Sequence, residues 1–374
     1  MKKLISILCA VCFFNASVSA SAPPEINAKS MVLMEASTGE ILAENAADEK
    51  LPIASVTKVM TLLLIMESIN SGKISLDDVV TVSENAMSMG GSTMFLEAGE
   101  ELSVHELIKG IAVASANDGC VAMAEYLTGS EEAFVTLMNE RAKELGMLNT
   151  QFKNTNGLDE EGHYSSARDV AIMSRELMKY EKIFEYTTIW TGRMNNDKYE
   201  LSNTNKLIRF YSGANGLKTG STSGAGCCIS ATAKRDNLGL VAVVLGAPSS
   251  DERFKGARAL LDFGFANYTL ENAFDENDRI ESIAVKKGVR ENVEIKAEKC
   301  EMLIEKSKKN DIEVIVDIPD EVLAPIKKGD KLGEVRFVLD GEVLKVGDIV
   351  AENDVSKKGF FGFFYMIISE FLVH

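Results

Sequence analysis

Ser55-Val56-Thr57-Lys58 places a hydroxyl three residues before an amine. On a helix, positions i and i+3 share a face, so the amine can reach the hydroxyl and take its proton. At a helix start, Ser55 would also meet backbone dipoles that favour developing negative charge. The run that follows is apolar almost all round: Val59, Met60, Leu62, Leu63, Leu64, Ile65 and Met66. Burial there disfavours an ammonium ion and makes Lys58 a better proton acceptor. A hydroxyl with an adjacent base is the equipment of nucleophilic acyl transfer. The bland reading of the same four residues is a serine cap with an exposed lysine.

Other hydrolytic arrangements fail. The chain has no Gly-x-Ser-x-Gly elbow and no His-Glu-x-x-His. Its three histidines, at 105, 163 and 374, lack the clustered spacing of metal ligands. His163 stands in a polar loop, a poor start for a Ser-His-Asp triad. Two further groups have chemistry to offer. Ser115-Ala116-Asn117 falls at an expected helix break, where a hydroxyl and an amide can relay a proton and bind a peptide group. Lys218-Thr219-Gly220, followed by small residues from Ser221 to Gly226, can hold a carboxylate while substrate lies along a strand edge. Each group alone also reads as an ordinary turn or strand; their order along one chain gives them weight together.

The elements that must position these residues follow from hydrophobic periodicity. Apolar runs on either side of Ser37-Thr38-Gly39 predict a β-hairpin over 30–36 and 41–44. Residues 54–69 predict one buried helix, too short and too charged to span a membrane. Helices are expected over 104–114, 120–127, 131–145 and 167–180, the last capped by Ser165 or Ser166. The period then changes, predicting strands over 226–234 and 238–246 and a helix over 254–265. Strands at both ends with helices between imply an α+β domain whose antiparallel sheet draws on both ends of the chain. Short alternating segments, at 282–285, 293–297, 313–318, 333–338 and 342–346, predict a small all-β domain.

The expected organisation is a signal peptide over 1–20, a catalytic domain over 21–275, the all-β domain over 276–350 and a membrane-associating segment over 351–374. Lys2, Lys3, an apolar run over 4–14 and the small residues Val18-Ser19-Ala20 carry the signal reading. The tail holds Phe360, Phe361, Phe363, Phe364 and Tyr365 after Lys357 and Lys358. It reads as an interfacial anchor, with a terminal element docked on the protein as the alternative. A net charge of −16 disfavours nucleic-acid binding and any general pull toward anionic lipid. Past the signal, Cys120, Cys227, Cys228 and Cys300 form no dense disulfide framework, though a bridge from Cys120 to Cys227 or Cys228 stays open. Neighbours in a strand point to opposite faces, so at most one of Cys227 and Cys228 faces the core.

Taken together, Ser55-x-x-Lys58, Ser115-x-Asn117 and Lys218-Thr219-Gly220 resemble the motifs of the penicillin-binding protein and serine β-lactamase superfamily. Pro52 to Lys58, Asn117-Asp118-Gly119-Cys120, Asn156-Gly157-Leu158-Asp159, Ser165 to Asp169 and Gly216 to Gly220 make the chain more similar to the low-molecular-mass D-alanyl-D-alanine carboxypeptidases. The likeness covers nearly the whole mature chain. It implies a β-lactamase/transpeptidase-like catalytic domain and no metal or organic cofactor. Ser55 would be the nucleophile and Lys58 its base, with Lys218 keeping Lys58 neutral by repulsion. Ser115 would pass the proton to the leaving amine. Asn117, Lys218, Thr219 and Ser221 would bind substrate, with the backbone N–H groups of Ser55 and Ser221 as the oxyanion hole. Asp169 stands between two readings, an aid to deacylation or a helix-start carboxylate. Implied partners are peptidoglycan stem peptides and β-lactams. A β-lactamase and an idle wall-binding scaffold are the rivals. Ala116, where class A β-lactamases carry Asp, argues against the first, and the intact motifs argue against the second.

Overall fold

The computed structural model describes residues 22–194, 199–272, 282–298 and 300–359. The signal reading over 1–20 and nearly all of the apolar tail lie outside the described residues. Among the described residues, no helix is long and apolar enough to cross a membrane.

The first half of the fold is a five-stranded antiparallel sheet between helical layers. Its strands are β1 (Ser30–Glu35), β2 (Ile41–Asn45), β3 (Ala214–Thr222), β4 (Gly226–Arg235) and β5 (Leu238–Ala247), in the order β2-β1-β5-β4-β3. The sheet therefore joins the beginning of the chain to residues nearly two hundred positions later. β5 reads as a continuous apolar run because both of its faces are covered. Val241, Val243 and Leu245 face the main helical core, while Leu240, Ala242 and Val244 face the second core. The alternation is the two-residue period of a strand. Each Leu or Val buried this way contributes about 1.5–3 kcal/mol relative to exposure. β3 is one of the two edge strands, and it carries Lys218-Thr219-Gly220.

The helices behind the sheet are α1 (Lys58–Asn70), α2 (Val104–Ala114), α3 (Asn117–Thr128), α4 (Glu131–Glu144) and α5 (Ala167–Met178). On the other face lies α6 (Ser250–Asn267). Serine side chains cap four of them: Ser103 to Glu106 N, Ser130 to Ala133 N, Ser166 to Asp169 N and Ser249 to Glu252 N. A serine cap satisfies an otherwise orphaned amide and contributes about 1 kcal/mol. In α1 every residue from Lys58 to Met66 is buried. The predicted helix over 54–69 divides in two, because Ala54–Thr57 forms a 3-10 turn before α1 begins.

The rest of the fold, from Tyr268 onward, is nearly all β. β6 (Tyr268–Asn272) leaves α6 and pairs antiparallel with β10 (Glu301–Glu305). β7 (Ile283–Lys286), β8 (Asn292–Val293) and β12 (Glu321–Leu323) form one small sheet. β9 (Ile295–Ala297), β14 (Glu342–Ala351), β13 (Lys331–Leu339) and β11 (Ile312–Asp317) form another. Val285, Val293, Ile349 and Ala351 are part of a separate small core between them.

Among the described residues Cys120, Cys227, Cys228 and Cys300 are free thiols, and the bridge left open from Cys120 is not formed. Cys228 faces the core and Cys227 is half-buried, as the strand alternation requires.

Candidate active site

Ser55 enters the site on a strained turn. Ala54 has φ +48°, in the left-handed region that side chains disfavour, and its backbone starts the 3-10 turn. A 3-10 helix has three residues per turn, so positions i and i+3 eclipse. That register sets Lys58 Nζ 2.9 Å from Ser55 Oγ. Two more acceptors surround the amine: Asn117 Oδ1 at 2.7 Å and the carbonyl oxygen of Asn156 at 2.6 Å. Lys58 is fully buried.

The Asn117 amide is oriented by its other end. Its Nδ2 donates to Gly90 O at 2.7 Å, which turns Oδ1 toward Lys58, and its backbone N–H donates to Ser92 O. Asp118, next in α3, accepts from the N–H groups of Met94, Leu96 and Gly119. The 90–96 loop is thereby tied to the start of α3. Ser115 forms the break between α2 and α3 and takes φ +65° to do so. It is buried, and among the described residues its hydroxyl makes no hydrogen bond to Lys58 or Lys218.

The opposite wall is β3. Lys218 is buried, with Nζ donating to Thr219 O at 3.0 Å. Thr219 Oγ1 donates to Thr204 Oγ1 at 2.7 Å. Gly220 has no room for a side chain, since a Cβ there would lie 2.7 Å from Ser55 N. The edge strand thus runs directly against the nucleophile turn. Arg253 of α6 donates to the carbonyl oxygens of Gly220 and Cys228 and braces the strand from behind. Ser221 is exposed at the mouth, its Oγ 3.7 Å from Cys227 Sγ.

Burial lowers the Lys58 pKa to about 8; the nearby Cys120 and Asp118 oppose the shift. Lys218 is pushed well below its ordinary value, first by burial and then by the Lys58 charge. Burial is the leading cause for both lysines, and the Lys58 charge adds to it at Lys218. A pKa near 8, well below the ordinary lysine value, brings the neutral amine within reach near neutral pH.

Residues 16–249 match the family described as D-alanyl-D-alanine carboxypeptidase, and residues 268–357 match that described as penicillin-binding protein 5, C-terminal domain. The chain belongs to the D-alanyl-D-alanine carboxypeptidase family. It is 47% identical over 341 residues to the D-alanyl-D-alanine carboxypeptidase DacF of Bacillus subtilis, covering 90% of this chain and 88% of that one. Its fold is similar to penicillin-binding protein 5 from Haemophilus influenzae, with a TM-score of 0.75 and 32% identity over 90% of this chain and all of that one. It is also similar to penicillin-binding protein D2 from Listeria monocytogenes in its ampicillin-bound form, at a TM-score of 0.59 and 30% identity, over 64% of this chain and 98% of that one. The fold is that of the penicillin-binding proteins, with a mixed α and β catalytic domain followed by an all-β domain.

Sequence reasoning missed several groups that pack around this site. Asn156 was singled out only as part of a run, yet its carbonyl holds Lys58. Asp118 likewise stands only within a run, while Thr204 and Arg253 carry no distinguishing signal. His163 is no base: its Nδ1 accepts from Lys153 N, which leaves Nε2–H to donate to Thr57 Oγ1 at 2.8 Å. Burial lowers its pKa to about 4. Asp169 accepts from Asn149 N and Thr150 Oγ1 at the start of α5, which is the helix-start reading. Among the described residues no group of His, Cys, Asp and Glu could hold a metal ion.

Proposed function

We propose that this chain removes the terminal D-alanine from peptidoglycan stem peptides through an acyl-enzyme on Ser55. The observation that carries the proposal is the set of three hydrogen bonds on the buried Lys58 amine. When Lys58 is neutral, its two N–H groups donate to Asn117 Oδ1 and Asn156 O. Its lone pair then faces Ser55 Oγ and takes that proton.

Ser55 Oγ attacks the carbonyl carbon of the D-Ala–D-Ala bond. The oxyanion that forms is held by the backbone N–H groups of Ser55 and Ser221. Lys218 and Thr219 receive the substrate carboxylate, and the second N–H of Asn117 Nδ2 is available to a peptide carbonyl. Ser115 relays the proton held by Lys58 to the departing amine, which leaves Lys58 neutral again, and free D-alanine leaves. Water then attacks the ester, its proton returns through Lys58 to Ser55 Oγ, and the shortened peptide is released. A β-lactam presents an amide that imitates that bond and would acylate Ser55.

The signal-peptide reading of the sequence supports the assignment, since stem peptides lie outside the cytoplasm. On this reading residues 1–20 are a signal peptide, 21–275 the catalytic domain and 276–350 a spacer. Residues 351–374 tether the enzyme to the outer face of the cytoplasmic membrane.

Incubation with a fluorescent penicillin and, separately, with a pentapeptide tests the chemistry. Wild-type protein should gain a covalent adduct and release D-alanine, and folded Ser55→Ala should do neither. A penicillin adduct on folded Ser55→Ala would remove Ser55 from the mechanism.

A further inference from the structure

The loop that supplies Asn156 to the base also reaches the opposite wall of the cleft. Its inner side is locked. Asn154 Oδ1 accepts from Gly157 N, Asn156 Oδ1 accepts from Leu158 N, and Gly157 (φ +87°) lies so close to Ala54 that a Cβ would sit 1.9 Å from the Ala54 carbonyl oxygen. Two residues further on, Asp159 turns outward to the β3–β4 turn. Its Oδ1 accepts from Thr222 Oγ1 at 2.6 Å, and its Oδ2 from Gly224 N at 3.2 Å and Ser223 Oγ at 3.4 Å. Thr222 Oγ1 accepts in turn from Ala225 N, closing the turn on itself. A Cβ on Gly224 would meet both carboxylate oxygens at 3.2 Å, so the turn backbone lies close against the acid.

We infer that Asp159 is a positioning residue that sets the width of the cleft between the nucleophile turn and the edge strand β3. The inference rests on the carboxypeptidase reading given above. Thr222 ends β3, three residues beyond Thr219. One short segment therefore holds Lys58 at one end, through Asn156, and the carboxylate-binding strand at the other, through Asp159. An edge strand has no neighbour on its outer side to fix its position. A carboxylate acceptor makes hydrogen bonds roughly twice as strong as neutral ones, enough to hold a strand end. Asp159 touches none of the reacting groups, so it acts only through β3. Without the clamp, Lys218 and Thr219 would meet the substrate carboxylate less well, while Asn117 and Asn156 would still hold Lys58.

A double-mutant cycle tests this with the full chain, reading acylation by a fluorescent penicillin and kcat and KM on a pentapeptide. Asp159→Ala and Thr222→Val should each lower the second-order acylation constant about tenfold and raise KM more than they lower kcat. The double variant should be no slower than either single one. Thr222→Ser, which keeps the hydroxyl, should react as wild type. The pH of half-maximal acylation should not move. Single variants within twofold of wild type, losses that multiply in the double variant, or a displaced pH midpoint would each overturn the clamp. If Asp159→Ala does not fold, the contrast between Thr222→Val and Thr222→Ser decides by the same criteria. Wild-type protein that takes no penicillin overturns the carboxypeptidase reading itself, and the clamp with it.

Discussion

Lys58 Nζ lies 2.6 Å from the carbonyl oxygen of Asn156, although 98 residues separate them in the chain. That contact and the one to Asn117 leave a single direction of approach on the amine, and Ser55 Oγ occupies it. Replacing Lys58 by alanine should slow acylation by at least ~10²-fold, the usual scale for losing a general base. Stopped-flow acylation on the folded variant measures it, and a near-normal rate would assign the base elsewhere.

The pH dependence follows from burial. Only the neutral amine accepts the Ser55 proton, and the Lys58 pKa is about 8. Acylation should therefore rise about tenfold per pH unit below pH 8 and level off above it. A profile flat from pH 6 to pH 9 would show that a different group limits proton transfer.

Gly157 has two reasons to lack a side chain: its φ of +87° and the Ala54 carbonyl in the place of a Cβ. Gly157→Ala should destabilise the protein by at least ~2 kcal/mol, through backbone strain and displacement of the nucleophile turn. Denaturant midpoints report the first effect and penicillin acylation the second. A variant of native stability and native rate would contradict the close approach.

His163 is held neutral, with a pKa of about 4 against an ordinary value of 6.5. Between these values the unfolded chain binds the proton that the folded chain refuses, so stability falls as pH drops from 6.5 to 4. The penalty from this one group approaches about 3 kcal/mol. Comparing thermal unfolding of wild type and His163→Gln at pH 7 and pH 4 isolates it. The wild type should lose more stability on acidification, and equal losses would mean that His163 does not titrate as described.

The tail carries the localisation proposal. Deleting residues 359–374 should move the exported protein to the soluble fraction without ending hydrolysis of a small peptide. Aromatic residues suit the bilayer interface, and Lys357 and Lys358 suit lipid headgroups. Unchanged membrane association, or loss of the catalytic fold, would make the tail a packed structural element instead.

What the sequence determined by itself was local. The continuous apolar run over 238–247 announces a buried strand, and the uniform apolarity after Lys58 announces a buried helix. The spacing of Ser55 and Lys58 announces their contact, because one turn of helix brings i and i+3 together whether it is α or 3-10. These signals are legible because backbone geometry repeats every two or three to four residues and side chains report the repeat. Tertiary structure decided what no repeat reports. The second and third partners of Lys58 come from α3 and from the loop after residue 153. The edge position of Lys218-Thr219-Gly220 depends on β1 pairing with β5 across some two hundred residues. Burial, which only the closed core supplies, is the largest cause of the lowered Lys58 pKa. A backbone carbonyl such as that of Asn156 has no residue type to announce it, and Asp159 is an ordinary loop carboxylate until packing sets it against Thr222. Such juxtapositions arise only when the whole core closes, since no local interaction holds those segments together.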